Sequence, residues 1–167
     1  MQYRTIWRQA TKDTWRAFEE LYAAGRIRAI GVSNFMPHHI DMLMEDAKVM
    51  PMVDQLKLCP GVTQPEITAY CRAHGIAIEA YSPLGTGAAL KSPQLNALSE
   101  KYGRSAGQLC LRWAVQMGFI PLPKSVTPAR IRENLDVFDF SLAPEDMALI
   151  SGLNCCEPAI DPDTIHF

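Results

Sequence analysis

Nothing in these 167 residues reads as a membrane span, a secretion leader or a nucleic-acid arm. Apolar residues make up 48% of the chain, yet no uninterrupted apolar run approaches the roughly 18 residues that suggest a bilayer crossing. The opening Met1-Gln2-Tyr3-Arg4 lacks the apolar core of a signal peptide. With net charge −2 and no block of Lys or Arg, the chain offers no basic stripe to a phosphate backbone. Internal repeats and low-complexity linkers are missing too. The five cysteines, Cys59, Cys71, Cys110, Cys155 and Cys156, show no paired metal-ligand spacing, and Cys155 and Cys156 are too close in sequence for an ordinary disulfide staple. The expectation is a cytoplasmic, soluble domain with reduced thiols, and neither membrane nor nucleic acid among its partners.

What is present concentrates in the junction Leu122-Pro123-Lys124-Ser125-Val126-Thr127-Pro128-Ala129-Arg130-Ile131-Arg132-Glu133-Asn134. Phe119 to Leu122 supply a short apolar strand, Thr127 is placed to cap a helix, and Pro128 suits the first helical position, where a missing N–H costs nothing. Free backbone donors and the positive end of a helix dipole then gather within reach of Lys124 and Arg130. A phosphomonoester suits such a corner, because Arg grips it with two parallel hydrogen bonds and Lys adds a point charge. The same residues also spell an ordinary capped surface helix with stray cations, and the junction alone does not decide between the two.

Four strands alternate with helices along the chain, at about Arg28–Val32, Val53–Leu58, Ala77–Tyr81 and Phe119–Leu122, with boundaries good to about two to four residues. Asp13 or Thr14 can cap a helix running through Ala24, with Trp15, Phe18, Leu21 and Tyr22 on one face and Gly25 as its stop. Pro37 opens the next, with Ile40, Leu43, Met44 and Ala47 as its apolar stripe. Thr63 with Glu66 forms a capping box ahead of a helix ended by Gly75, and Ser105 with Gln108 repeats that signature for a helix reaching Met117. Ser92 and Pro93 start a helix that stops near Gly103, and Pro144, Glu145 and Asp146 open a last one ending near Gly152. Strand, helix, strand, helix argues for a parallel sheet with right-handed crossovers. Trp113 reads as a core anchor, and Met42, Met44, Met50 and Met52 as packing filler.

A second stretch, Arg28-Ala29-Ile30-Gly31-Val32-Ser33-Asn34-Phe35, gives the junction its context, and with it the chain closely resembles the aldo-keto reductase family. The resemblance implies that Ser33 and Asn34 hold the carboxamide of nicotinamide, with Gln55 as a further carboxamide partner. Tyr81, within Ala80-Tyr81-Ser82-Pro83-Leu84-Gly85, matches the aromatic that stacks on the nicotinamide ring, and Ser82 and Leu84 line the pyrophosphate path. Lys124, Ser125, Val126, Thr127 and Arg130 then surround the 2′-phosphate of NADPH (NADP), with Glu133 and Asn134 near the adenine. Each role has a plainer rival: Ser33 and Asn34 could cap the helix opened by Pro37, Gln55 could satisfy a strand-end backbone group, and Tyr81 could be wall packing. Two positions depart from the family pattern. Cys59 precedes Pro60 where relatives often carry His, and Gly61 replaces a common aromatic.

The resemblance also implies an absence. The family's chemistry needs an Asp, a Tyr acid, a Lys and a His on strands that precede the matched region. His38 and His39 stand at a helix start, His74 before a helix-ending glycine and His166 in the tail, so none has the strand-end setting of the catalytic His. Tyr3, Tyr22, Tyr70 and Tyr102 fall on helices or their approaches. The expected fold is α/β, a partial (β/α)8 TIM barrel of about four parallel strands alternating with helices, since a complete barrel takes roughly 250 residues. Residues 1–154 are expected to form the C-terminal half of such a barrel and residues 155–167 a tail, which in the family helps shape substrate specificity. The small-molecule aldehyde or ketone substrate then requires the missing half. Cutting a barrel exposes an apolar inner face and two strand edges, so a homo-oligomer or a complementing half-barrel is expected. Re-covering several hundred Å² of apolar surface would be worth on the order of 10 kcal/mol before association entropy.

Overall fold

The computed structural model describes residues 2–164, with side chains from residue 7 onward. His166 and the side chain of Tyr3 therefore lie outside the described residues. The elements follow in the order α1 (Gln2–Ala23), β1 (Gly31–Ser33), α2 (Pro37–Met44), β2 (Val53–Lys57), α3 (Pro65–Ala73), β3 (Ala77–Tyr81), two short 3-10 turns, α4 (Pro93–Tyr102), α5 (Ala106–Gln116), β4 (Ile120–Leu122), α6 (Pro128–Leu135) and α7 (Pro144–Ser151). The strands form one sheet in the order β1-β2-β3-β4, and every pairing is parallel. Its register sets Ser33 beside Gln55, Gln55 beside Glu79, and Lys57 beside Tyr81, which in turn sits beside Leu122.

Alternation along the strands gives the sheet two unlike faces. On one, Asp54, Leu56, Leu58, Ile78 and Ala80 are fully or almost fully buried beneath the helices, in a core with Ile40, Ile67, Leu109 and Trp113. On the other, Gln55, Lys57, Glu79 and Tyr81 are only half-buried, and Ile120 and Leu122 stay 49% and 41% exposed. Helices thus cover one face of the parallel sheet, as on the outside of a barrel, while among the described residues the outer edges of β1 and β4 pair with no strand and the inner face carries no helix layer. That inner face is mixed in character. Gln55, Lys57 and Glu79 interrupt the apolar surface expected there, so less apolar area awaits cover than the sequence implied.

Several helix starts differ from expectation. α1 begins at Gln2 rather than at Asp13 or Thr14; the Thr14 hydroxyl donates back to the Ala10 carbonyl at 2.8 Å, and Asp13 accepts from Gln9 at 3.0 Å, bonds that belong to a helix interior. Of its apolar stripe only Trp15 is buried, with its indole N–H on the Val49 carbonyl at 3.1 Å, while Phe18, Leu21 and Tyr22 are 39%, 40% and 36% exposed. Thr63 and Glu66 make no capping box. Gln64 stands at the cap of α3 instead, at φ 42°, with no side-chain cap bond. Thr127 occupies the cap of α6 as expected but its side chain makes no cap bond. The Ser105–Gln108 box is present, with the Ser105 oxygen accepting the Gln108 N–H at 3.2 Å and the Gln108 side chain accepting the Ser105 N–H at 3.1 Å. Trp113 is fully buried and donates to Ser151 Oγ at 2.9 Å. Beyond α7 the tail runs as a loop to a short 3-10 turn at Pro162–Thr164.

Candidate functional site

Parallel pairing puts the carboxyl ends of all four strands at one end of the sheet, the end where open α/β sheets collect their ligands. Every residue expected around the dinucleotide lies there, in strand order: Ser33 and Asn34 leaving β1, Gln55 within β2, Tyr81 and Ser82 leaving β3, and Lys124 to Asn134 following β4. Asn34 and Ser82 hold left-handed backbones, at φ 55° and 50°. Such strain in non-glycine residues is commonest where side chains must be aimed at a ligand.

Hydrogen bonds join the residues leaving β1 and those of β2 and β3 into a chain. Ser33 Oγ donates to the Gln55 carbonyl at 3.0 Å and accepts from Asn34 Nδ2 at 3.3 Å, while Gln55 Nε2 donates to Glu79 Oε2 at 2.9 Å. These bonds engage the amide nitrogens and leave the amide oxygens of Asn34 and Gln55 for a donor such as a carboxamide NH2. Ser33 and Asn34 do not cap α2, whose cap residue is Met36. Glu79, which fixes Gln55, was not singled out from the sequence. Its signal was the two-residue period that puts it on the face of Tyr81.

At the other end, Lys124 and Arg130 are exposed and neither joins an ion pair among the described residues. Val126 is 80% exposed, and the Thr127 N–H donates to Ser125 Oγ at 3.2 Å, which turns the loop into α6. α6 buries no side chain. It is held through its far end, where Glu133 accepts from Ser105 Oγ, so the residue expected near the adenine already serves α5. Asn134 and Leu84 are half-buried beside these loops. Two unpaired cations at a helix start match the demand of a phosphomonoester, and two free amide oxygens match that of a carboxamide, so the residues present fit NADPH.

Asp54 is the feature of this end that the sequence reading missed. It is fully buried, and neither carboxylate oxygen completes a hydrogen bond. Burial pushes its pKa up to about 7, against partial relief from the nearby N–H groups of Phe35 and Asn34. Its parity with Leu56 and Leu58 was the available signal. The departure at Gly61 also finds a cause. A Cβ on Gly61, which has φ 80°, would stand 1.8 Å from the Leu153 carbonyl oxygen, so the start of the tail fills the space an aromatic would need. Burial pushes the Cys59 thiol up, and Cys156 lies against it.

A helix-backed parallel sheet with polar side chains gathered past its carboxyl ends defines a segment of a (β/α)8 barrel. The chain belongs to the aldo/keto reductase family, whose model matches residues 5–154. It is similar to a glyoxal reductase of Bacillus subtilis (strain 168), 50% identical over 157 residues that cover 93% of this chain and 57% of that one. Among solved structures it is similar to a mutant of Gox0644 in complex with NADPH, at 38% identity and TM-score 0.88, covering 93% of this chain and 58% of that one. A Bombyx mori aldo-keto reductase in complex with NADP is 39% identical with TM-score 0.78, the match covering 84% of this chain and 49% of the other. The chain thus spans about half the length of the curated relatives it matches.

Proposed function

We propose that this chain supplies the cofactor-holding half of an NADPH-dependent aldo-keto reductase, a barrel that reduces small aldehydes or ketones to alcohols. One observation carries the proposal: the residues expected at the nicotinamide, pyrophosphate and 2′-phosphate leave successive parallel strands at one end of the sheet in the order an extended dinucleotide would meet them. Ser33, Asn34 and Gln55 would receive the carboxamide, Tyr81 the ring face, Ser82 and Leu84 the pyrophosphate, and Lys124, Ser125, Val126, Thr127 and Arg130 the 2′-phosphate. Glu133 and Asn134 would border the adenine. When bound, NADPH supplies the hydride for the carbonyl carbon. The proton donor lies outside these residues, since Tyr81 is assigned to the ring and the described histidines, His38, His39 and His74, stand on helices or their ends.

Residues 1–154 are accordingly proposed as the C-terminal half of the barrel, with the tail beside them. Completion falls to a second copy or to a polypeptide carrying the other half. The four groups at the two ends, two amide oxygens and two cations, also favour a second reading, a noncatalytic NADPH-binding half-barrel. Titration of NADPH fluorescence with the purified chain tests both. Weak binding with preference for NADPH over NADH, and no oxidation of NADPH by a reactive aldehyde, is expected from the chain alone. Rapid turnover would overturn the placement of the proton donor, and absence of binding would leave only a folded remnant.

A further inference from the structure

Past α7 the chain turns back toward the carboxyl ends of the strands and brings two cysteines to a third. Cys59 lies just beyond β2 and is fully buried, whereas Cys155 and Cys156, at the start of the tail, are partly exposed. Their sulfurs run in a row with Cys156 in the middle. Cys156 Sγ lies 3.7 Å from Cys155 Sγ and in side-chain contact with the Cys59 thiol, while Cys155 Sγ points to the Pro60 carbonyl at 3.9 Å. A glycine makes the seat. Gly85 holds φ 56°, and a Cβ there would stand 2.2 Å from Cys156 Sγ and 3.7 Å from Cys59 Sγ, so the two sulfurs meet over backbone that carries no side chain. Farther along, Lys57 Nζ donates to the Pro158 carbonyl at 3.2 Å, and the Asp163 carboxylate meets His38 Nε2 at 2.9 Å and His39 Nε2 at 3.0 Å.

A metal ion shared by the three thiols would need all three sulfurs around one point, and among the described residues these cysteines do not converge so. A row of sulfurs suits a disulfide instead. A bond between Cys155 and Cys156 would have to close a small ring through the one peptide unit that joins them, at the expense of the torsion of about 90° that an unstrained disulfide adopts. Cys59 and Cys156 come from separate segments and carry no such constraint.

We propose that Cys59 and Cys156 are a redox pair, which hydrogen peroxide joins into a disulfide that ties the tail to the exit of β2. The reaction divides by exposure. The Cys156 thiolate, on the partly exposed side, attacks one peroxide oxygen; the O–O bond breaks, and the departing hydroxide takes up the proton that the thiol had lost, leaving a sulfenic acid and one water. The Cys59 sulfur then attacks the Cys156 sulfur, the S–O bond breaks, and the hydroxyl leaves with the Cys59 proton as a second water. Two thiols thus lose two electrons, and one peroxide is reduced to two waters. Burial pushes Cys156 up to about 11 and Cys59 upward as well, so thiolate is scarce near neutrality and the reaction answers sustained oxidant, not a brief pulse. The same weak acidity makes both sulfurs poor leaving groups, so the bond withstands single thiols and opens to a dithiol.

The test is oxidation of the folded full chain with hydrogen peroxide, then unfolding in urea with an alkylating agent and peptide mass mapping. The expected product has lost two hydrogens, is alkylated at Cys71, Cys110 and Cys155, and yields a linked pair of peptides holding Cys59 and Cys156 that dithiothreitol separates. Cys155→Ser should give the same link, and Cys156→Ser should give no link to Cys59. With Cys59→Ser and Cys155→Ser combined, Cys156 should remain a sulfenic acid that dimedone captures. A Cys155–Cys156 or Cys59–Cys155 link in the unmutated chain, oxidation that leaves Cys59 open to alkylation, or a Cys59 link surviving in Cys156→Ser would each overturn the proposal.

Discussion

Asp54 holds a carboxyl where nothing completes its hydrogen bonds, and at single-residue scale that sets a pH dependence of opposite sign to the common one. A carboxylate with favourable native partners stabilises the fold above its pKa. Here the folded value is raised, from 3.8 to about 7, so the native state binds the proton more tightly than the unfolded chain does. The penalty is absent below about pH 4, grows as pH rises, and is complete above about pH 7. At 1.36 kcal/mol per pKa unit it amounts to roughly 4 kcal/mol. Asp54→Asn should raise stability at pH 8 by a sizeable part of that amount and change it little at pH 4. Urea denaturation at the two values checks this, and equal effects at both would remove the buried-charge explanation. Arg130 offers a prediction about binding. One charge-assisted hydrogen bond to a phosphate is worth about 1.5–3 kcal/mol, so Arg130→Ala should weaken NADPH binding by roughly tenfold or more and leave NADH nearly untouched. Unchanged preference in a fluorescence titration would take Arg130 out of the phosphate site.

Helix starts show how local chemistry and tertiary context divide the work of specifying elements. Ser105 opens α5 with a complete box and also donates to Glu133 of α6, so one side chain fixes a helix start and docks the helix that follows the phosphate loop. Ser105→Ala should cost about 1–2 kcal/mol, read as a shift in urea midpoint, and should also weaken NADPH binding through the loosened α6. Thr63→Ala should be close to neutral, because Thr63 makes no cap. Both sequences carry the same four-residue signature, and only one forms the box. At Gln64 the backbone turns to φ 42° and Pro65 enters the first turn, a geometry set by the strand exit at Lys57, whose carbonyl accepts from Gln64 Nε2 at 2.9 Å. Strand positions were legible because buried parallel strands carry short apolar runs between turn residues; β3 matches its expected span, and β2 differs by one residue at its end. The early start of α1 was legible in principle, since Gln2–Ala23 contains no Gly or Pro. Its polar Thr11-Lys12-Asp13-Thr14 run imitates a cap while being a solvated helical face. For the candidate site, the residues proposed for a dinucleotide are readable as motifs, whereas the places of Glu79 and Asp54 and the contact of Asp163 with His38 and His39 depend on which strand lies beside which and on where the tail returns.

At the scale of the whole molecule, an open inner face and two free strand edges remain, and their composition decides what covers them. Val53, Ala77, Ile120 and Leu122 offer apolar area on that face, but Gln55, Lys57 and Glu79 sit among them, Gln55 and Glu79 satisfying each other and Lys57 Nζ donating to the Pro158 carbonyl. Beside the β1 edge, Trp7, Trp15, Phe18, Val32 and Phe35 line a cleft of about 370 Å³, which adds apolar surface where a further strand would pair. At about 25 cal/mol per Å², a few hundred Å² gained across face and cleft would contribute several kcal/mol, enough for association but with little surplus once translational entropy is lost. Self-association should therefore be weak and concentration-dependent rather than permanent. Light scattering after size exclusion should show a mass above 18.6 kDa at tens of micromolar that falls on dilution. Leu122→Asp, placed on the half-open inner face where it touches no buried core, should shift the equilibrium to monomer with little loss of folded stability. A wild-type chain that stays monomeric throughout would mean that the polar residues on the inner face keep it soluble unaided, and would leave a polypeptide carrying the other half as the remaining way to complete the barrel.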